Sequence, residues 1–373
     1  MRAYTTLLTL LTLGLCASFT AAAFAVEGAP RHVYVVNTGD GSVSLVDLAV
    51  MKELKRYQVG ERPYGIAVMQ DGKTVAVGVE GEEKVKFLDA ADFTLKGAVP
   101  IGKMHNDHIV LTQDGKYLLV ANYYSDDVFI IDAAAMKEAG RIKGCSAPHV
   151  VKYGPLKKNA YVTCKKITGI AIINPTKKEL VQFHQLNVNP RSLTFSPDES
   201  KLYFGSFWVN GIFEMDAVSG KVTRLLSAPP PKDNAGEQEV TYHGVEAVGG
   251  DIVLAANEGR SYVDAFDTKT GKHLARLTDV SYPCCIERIP GSEGFPTRVL
   301  VSNLGDGTLQ LVEMAKDGTM RSLGKAQVAK APKRVAFVKP ASIDANLEIA
   351  VHNTRPPFFT TRAQSRSALI RSP

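Results

Sequence analysis

The chain has 373 residues, 45% of them hydrophobic, and a formal net charge of +6. Arg2 lies in the N-terminal leader, and Arg355, Arg362, Arg366 and Arg371 sit in a C-terminal tail without acids; setting these five aside leaves the remaining body near +1. A nucleic-acid surface is thereby excluded, because it would carry its positive charge on the folded body.

Residues 1–25 read as an export signal, with Arg2 in the charged part, Leu7 to Leu15 as the apolar part and Ala23-Phe24-Ala25 supplying the small residues of a cleavage site. The apolar run is too short and too early for a stable membrane span. Cys16 invites a lipid attachment, but Leu15 stands before it where a small residue is wanted. The expected compartment is the periplasm or the outside of the cell. Four cysteines remain after cleavage, Cys145, Cys164, Cys284 and Cys285, and in an oxidising compartment they allow three pairings.

From residue 33 onwards one unit recurs. VYVVNTGDGSVSLVD ends at Asp47, TVAVGVEGEEKVKFLD at Asp89 and YLLVANYYSDDVFIID at Asp132. Further copies end at Asn174, Asp216, Asp267 and Glu313, so successive spacings are 42, 43, 42, 42, 51 and 46 residues. Each copy alternates apolar and polar residues over short β-branched runs broken by Gly, Asn or Asp, which predicts strands and turns rather than helices. A third strand follows each pair, and a fourth begins after a Pro, as in RPYGIAVMQDG.

Four short strands at this period predict an all-β chain, a seven-bladed β-propeller of four-stranded blades over residues 26–353. The first blade, at 33–58, lacks an innermost strand, while an unmatched one, PKRVAFV, stands at 332–338. Pairing the two closes the ring through the termini and leaves a monomeric ring without free sheet edges. An eighth, truncated blade remains open, because NLEIAVHN at 346–353 resembles one more second strand. Residues 354–373 carry no repeat and are expected to be disordered.

YVVN at 34–37, LVAN at 119–122, YVTC at 161–164 and LVSN at 300–303 resemble the YVTN family of β-propeller repeats. That family mixes surface-layer proteins, binding modules and redox partners, so the resemblance implies a fold more than a function. NTGDGSVSLVD, NLGDGTLQLVE and the late VHNTR also look like stretches of cytochrome d1-type propellers, which have eight blades. No CxxCH for a covalent c-type haem is present.

The repeats align one another. With the Pro that opens five of the innermost strands as register, and Asn106 or Tyr242 in its place in the other two, the following position holds Tyr64, Asp107, His149, Arg191, His243, Cys284 and Lys333, a polar or reactive residue every time. These seven are predicted to ring one mouth of the central channel as a ligand-binding site. His105, His108, His149 and His243 fall on or beside it, and their imidazoles suit copper, zinc or iron. Trp208, the only tryptophan, lies in the turn SFWVNG on the same face, where it could stack on a ligand or simply pack.

Cys284 and Cys285 stand as a vicinal disulfide, a pair of thiolate ligands or two plain inner-strand thiols. For Cys145 and Cys164 a disulfide across the mouth face is favoured over metal ligation. An insertion, SAPPPKDNAGEQEVTYHG, leads into His243. The recurring Asp47, Asp89, Asp132, Asp216 and Asp267 close the turn after each third strand and are expected to be turn-formers.

Three functions follow from this arrangement. The first is a binding module that presents the mouth to a periplasmic protein or a small molecule. The second is a redox-associated or cofactor-handling protein, with copper or a d1-type haem held by His149, His243 and His108. The third is a lactonase-like hydrolase using Asp107, His149 and Arg191. No GxSxG, Walker or HExxH spacing signals a reaction.

Overall fold

The computed structural model describes residues 29–103, 108–207, 209–229, 242–292 and 294–339. They form seven four-stranded antiparallel sheets, with one short 3-10 turn at Glu80–Glu82 as the only helix among the described residues. The innermost strands are Pro332–Phe337 in blade 1, then Pro63–Val68, Ile109–Leu111, Pro148–Gly154, Pro190–Phe195, Tyr242–Gly249 and Pro283–Arg288 in blades 2 to 7. Within each blade the chain runs outwards to an exposed edge, so the expectation of a ring without free sheet edges fails: terminal pairing covers the inner edge of blade 1, and each of the seven separate sheets keeps its outer one.

The ring closes through the termini. Pro332–Phe337 pairs antiparallel with His32–Asn37, setting Val33 opposite Phe337, Tyr34 opposite Ala336 and Val35 opposite Val335. Seven apolar clusters fill the seven gaps between neighbouring blades. In one of them Tyr34 and Val36 of blade 1 pack on Ile66, Val75 and Val77 of blade 2. In the cluster across the closure Val33, Val35 and Val46 meet Leu300, Leu309 and Leu311 of blade 7. The segment 346–353, the source of the eighth-blade expectation, lies outside the described residues.

Simple alternation fails for the middle strands. Ser42–Asp47, Thr74–Val79 and Tyr117–Asn122 are buried at all six positions, because each is covered by a neighbouring blade on both faces. A strand buried on both faces needs no polar side. The outer strand Lys52–Gln58 is largely exposed, and Lys52, Lys55 and Arg56 there discourage edge-to-edge pairing.

Two local devices deliver each chain into the channel. The residue before the inner strand, Arg62, Ala147, Tyr282 or Ala331, has φ of 53°, 53°, 52° and 52°. A left-handed non-glycine residue costs roughly 1–2 kcal/mol. The cost is offset by a hydrogen bond, since each of these carbonyls accepts from the backbone N–H just past the second strand: Glu80, Lys165, Leu304 and Thr38, at 3.1 Å. The second device is a bulge: pairing shifts register between Pro63 and Ile66, Pro148 and Val151, Pro190 and Leu193, Tyr242 and Gly244, and Pro283 and Cys285. A bulge lifts the residue after the Pro out of the ladder and turns its side chain away from strict alternation.

The repeated aspartates serve their turns. Asp132 accepts from the backbone N–H of Ala134 and Ala135, Asp216 from Val218 and Ser219, and Asp267 from Lys269 and Thr270. Asp47 and Asp89 each accept from the N–H two residues on.

Cys145 and Cys164 form a disulfide within blade 4, with Cα atoms 5.2 Å apart and a sequence separation of 19. A loop of this size stabilises by about 3 kcal/mol through the unfolded chain. The Cys145→Ala/Cys164→Ala variant should lose about that much in denaturant unfolding, and equal stability would show that the bond constrains nothing.

Candidate functional site at the channel mouth

Four of the seven residues that follow the inner-strand register, His149, Arg191, His243 and Cys284, are joined by contacts running from blade 4 to blade 7, and Lys333 lies against Tyr64. Asp107, His105 and Trp208 lie outside the described residues, as does the insertion over 230–241. The centre of the arrangement is Arg191 on blade 5. Its Nη2 donates to Glu258 Oε2 at 3.0 Å, and its carbonyl lies 3.2 Å from Nδ1 of His149 on blade 4. The guanidinium carbon stands 4.6 Å from the Phe207 ring centroid, whose other cationic neighbour is Lys165 Nζ at 5.2 Å. Arg191 Nε is buried and has no hydrogen-bond partner among the described residues.

His243 on blade 6 extends the sector. Its ring centroid is 6.3 Å from that of His149, and its Nδ1 is 3.7 Å from Glu258 Oε2. The same Nδ1 is 2.7 Å from Cys284 Sγ on blade 7, and Cys285 Sγ is 3.1 Å from Cys284 Sγ. Neither thiol is in a disulfide, and both are buried. Burial pushes the Cys284 thiol well up, Cys285 adds to this, and the nearby His243 and Lys333 pull in the opposite direction.

Gly244 makes the close approach of blades 6 and 7 feasible. A Cβ there would sit 2.8 Å from the Cys284 carbonyl oxygen and 3.1 Å from the Cys285 Cα. Any larger residue after His243 would push the two thiols away from the imidazole.

Lys333 of blade 1, next to blade 7 and three blades on from Arg191, has Nζ 4.6 Å from the centroid of the buried Tyr64 ring. His108 is buried at the start of blade 3, where its backbone passes close to Gly65. Among the described residues the only group of three or more His, Cys, Asp or Glu side chains whose donor atoms converge within 4.8 Å is His243, Cys284 and Cys285.

Below the mouth the channel is crossed by an ion pair between Lys152 of blade 4 and Glu246 of blade 6. Burial works against the Lys152 ammonium, but the Glu246 and Glu287 carboxylates outweigh it and raise its pKa. The bridge reaches past blade 5 and ties together two inner strands that are not neighbours in the ring.

Phe207, Glu258 and Lys165 were not among the residues picked from the sequence. A signal for them exists: the position just after the second strand reads Thr38, Glu80, Tyr123, Lys165, Phe207, Glu258 and Leu304 across the blades. Aligning the blades at the position just past the second strand finds all three. The asparagines one step earlier serve the sheet instead, as Asn37 Nδ2 donates to Ser42 and Ser44, and Asn303 Nδ2 to Thr308 and Gln310.

Seven radial sheets around a polar mouth define a β-propeller. No family model and no curated protein matches the sequence. In three dimensions the chain is similar to the periplasmic gluconolactonase PpgL of Pseudomonas aeruginosa, at 17% identity and a TM-score of 0.65, covering 83% of this chain and 99% of that one. It is also similar to the dihydro-heme d1 dehydrogenase NirN in complex with DHE, at 15% identity and 0.58, covering 84% and 76%. The hydrazine synthase of Kuenenia stuttgartiensis matches at 21% identity and 0.54, covering 67% and 76%. At these identities the likeness establishes the fold. Among the described residues no helix is long and apolar enough to cross a membrane.

Proposed function

We propose that the chain is an exported binding module that takes a small organic anion at the mouth of its channel. The observation that carries this reading is Arg191: a largely buried guanidinium, 17% exposed, oriented by Glu258 and Phe207, with a buried Nε that no described residue satisfies. An unsatisfied buried donor costs about 1–3 kcal/mol, which an incoming acceptor would recover. The planar fork of Arg matches a carboxylate, and Lys333 on blade 1 adds a second cation within the same mouth. Export is supported by the leader over residues 1–25 and by the Cys145–Cys164 bond, a linkage that persists in oxidising compartments.

Calorimetric titration of the mature protein with a panel of small carboxylates tests this, with aldonates and their lactones included because one structural relative is a gluconolactonase. One molecule should bind per chain, and Arg191→Ala should weaken it by about tenfold to a hundredfold, the worth of a charge-assisted hydrogen bond. A panel without any binder, or a binder indifferent to Arg191→Ala, would remove the basis for the reading.

A further inference from the structure

We propose that His243, Cys284 and Cys285 form a three-coordinate site for Cu(I) in the wall of the mouth. The site is independent of the organic-anion reading, since its donors differ from Arg191 and Lys333, and either test can fail alone.

The geometry begins with the bulge. Adjacent residues of a regular strand point to opposite faces, so Cys284 and Cys285 should not share a ligand. Register shifts between Pro283 and Cys285, and the two Sγ atoms come to 3.1 Å of each other. His243 arrives from the neighbouring blade through the space that Gly244 leaves, placing Nδ1 2.7 Å from Cys284 Sγ. The three donor atoms thus converge from two blades, and all three residues are buried.

Donors bonded to one small cation at about 2.0–2.3 Å stand about 3.5–4 Å apart. The Sγ···Sγ and Nδ1···Sγ separations, 3.1 and 2.7 Å, are shorter than that. Loading requires the two sulfurs and the imidazole to spread by up to roughly 1 Å and the two thiols to release their protons as the cation enters. The entering cation compensates the two thiolates, and the positive charge of Lys333, which acts on Cys284, offsets the single negative charge left on a Cu(I)–dithiolate–imidazole centre.

The donor set selects the metal. Thiolates favour soft d10 cations, Cu(I) and Zn(II) among them. Zn(II) in a structural site takes four tetrahedral ligands. The nearest carboxylate oxygen, Glu258 Oε2, is 3.7 Å from His243 Nδ1 and already accepts from Arg191 at 3.0 Å. Recruiting it would break that pair, whereas Cu(I) is content with the three donors present.

The experiment is anaerobic titration of the metal-stripped mature protein with Cu(I) against a chromogenic Cu(I) chelator, with ascorbate as reductant so that the Cys145–Cys164 bond survives. One equivalent should bind. X-ray absorption of the loaded wild-type protein should show two sulfurs and one nitrogen bonded to copper, a readout that does not depend on any variant folding. Cys284→Ser, Cys285→Ser and His243→Ala should each weaken binding by at least about a hundredfold, the upper end of what loss of a mere supporting residue costs. The assignment is overturned if no Cu(I) binds, if sulfur is missing from the absorption data, or if binding survives Cys284→Ser but is lost in His149→Ala. A competition in which Zn(II) displaces Cu(I) from the wild type would overturn the choice of metal.

Discussion

A chain ended after Lys330 should fail to form a cooperative fold. The truncation removes Pro332–Phe337, the only partner of the inner edge of His32–Asn37, together with Ala336 and Val338, which are buried in the cluster between blades 1 and 2. It also removes Lys339, whose Nζ donates to the Met69 carbonyl at 3.0 Å. Each large apolar side chain stripped of its cover costs about 1.5–3 kcal/mol, and three such residues, Val335, Phe337 and Val338, together rival the lower part of the roughly 5–15 kcal/mol that holds an ordinary domain. The bared strand HVYVVN is apolar and unpaired, so aggregation should follow. Size-exclusion chromatography and near-ultraviolet circular dichroism would report it. A chain ended after Lys339 keeps the closing strand and should stay monomeric with a single melting transition. A soluble, cooperatively melting chain ended after Lys330 would show that the terminal pairing does not close the ring.

The second large effect is expected at Asp264, on the third strand of blade 6. Its side chain is fully buried and accepts from Tyr242 Oη at 2.6 Å, Arg276 Nε at 2.7 Å and Arg276 Nη2 at 3.0 Å, with His273 Nε2 at 2.8 Å. Arg276 in turn lies 3.8 Å over the Tyr262 ring. Burial, and after it the Asp264 charge, holds the Tyr242 hydroxyl well above its ordinary pKa, so it remains a donor at any working pH. Asp264→Ala removes the acceptor from all of these groups and strands a largely buried guanidinium, which costs about 3–5 kcal/mol. Asp264→Asn, which retains an acceptor oxygen, should lose less. Because Tyr242 precedes His243 in the chain, the alanine variant should also loosen the blade 6 side of the mouth. A denaturation midpoint for Asp264→Ala indistinguishable from the wild type would mean that the network contributes little.

Much of the fold was legible in the sequence because a propeller repeats its local chemistry. A strand, a turn closed by Asp47 or its counterparts, and a Pro before the inner strand recur at nearly constant spacing, and the unmatched PKRVAFV announces the closure. The gathering of His149, Arg191, His243 and Cys284 was legible for the same reason, since equivalent positions in equivalent blades must lie near one another. What escaped was whatever depends on contacts between blades. Arg191 and Glu258 are 67 residues apart, and Lys152 and Glu246 are 94 apart, so no spacing rule links them. Whether Cys284 and Cys285 share one side stayed open in the sequence, because their proximity arises from a bulge that breaks the alternation on which strand reading rests. Middle strands buried on both faces blurred that alternation further.

The central claim is that the mouth is where this propeller binds. A crystal structure of the mature protein with the tightest carboxylate ligand tests it most directly. The ligand should lie over Arg191 with an acceptor oxygen within hydrogen-bond distance of Nε, between the Phe207 side and Lys333. A ligand seated on the outer strands, or on the opposite face of the ring, would contradict the account.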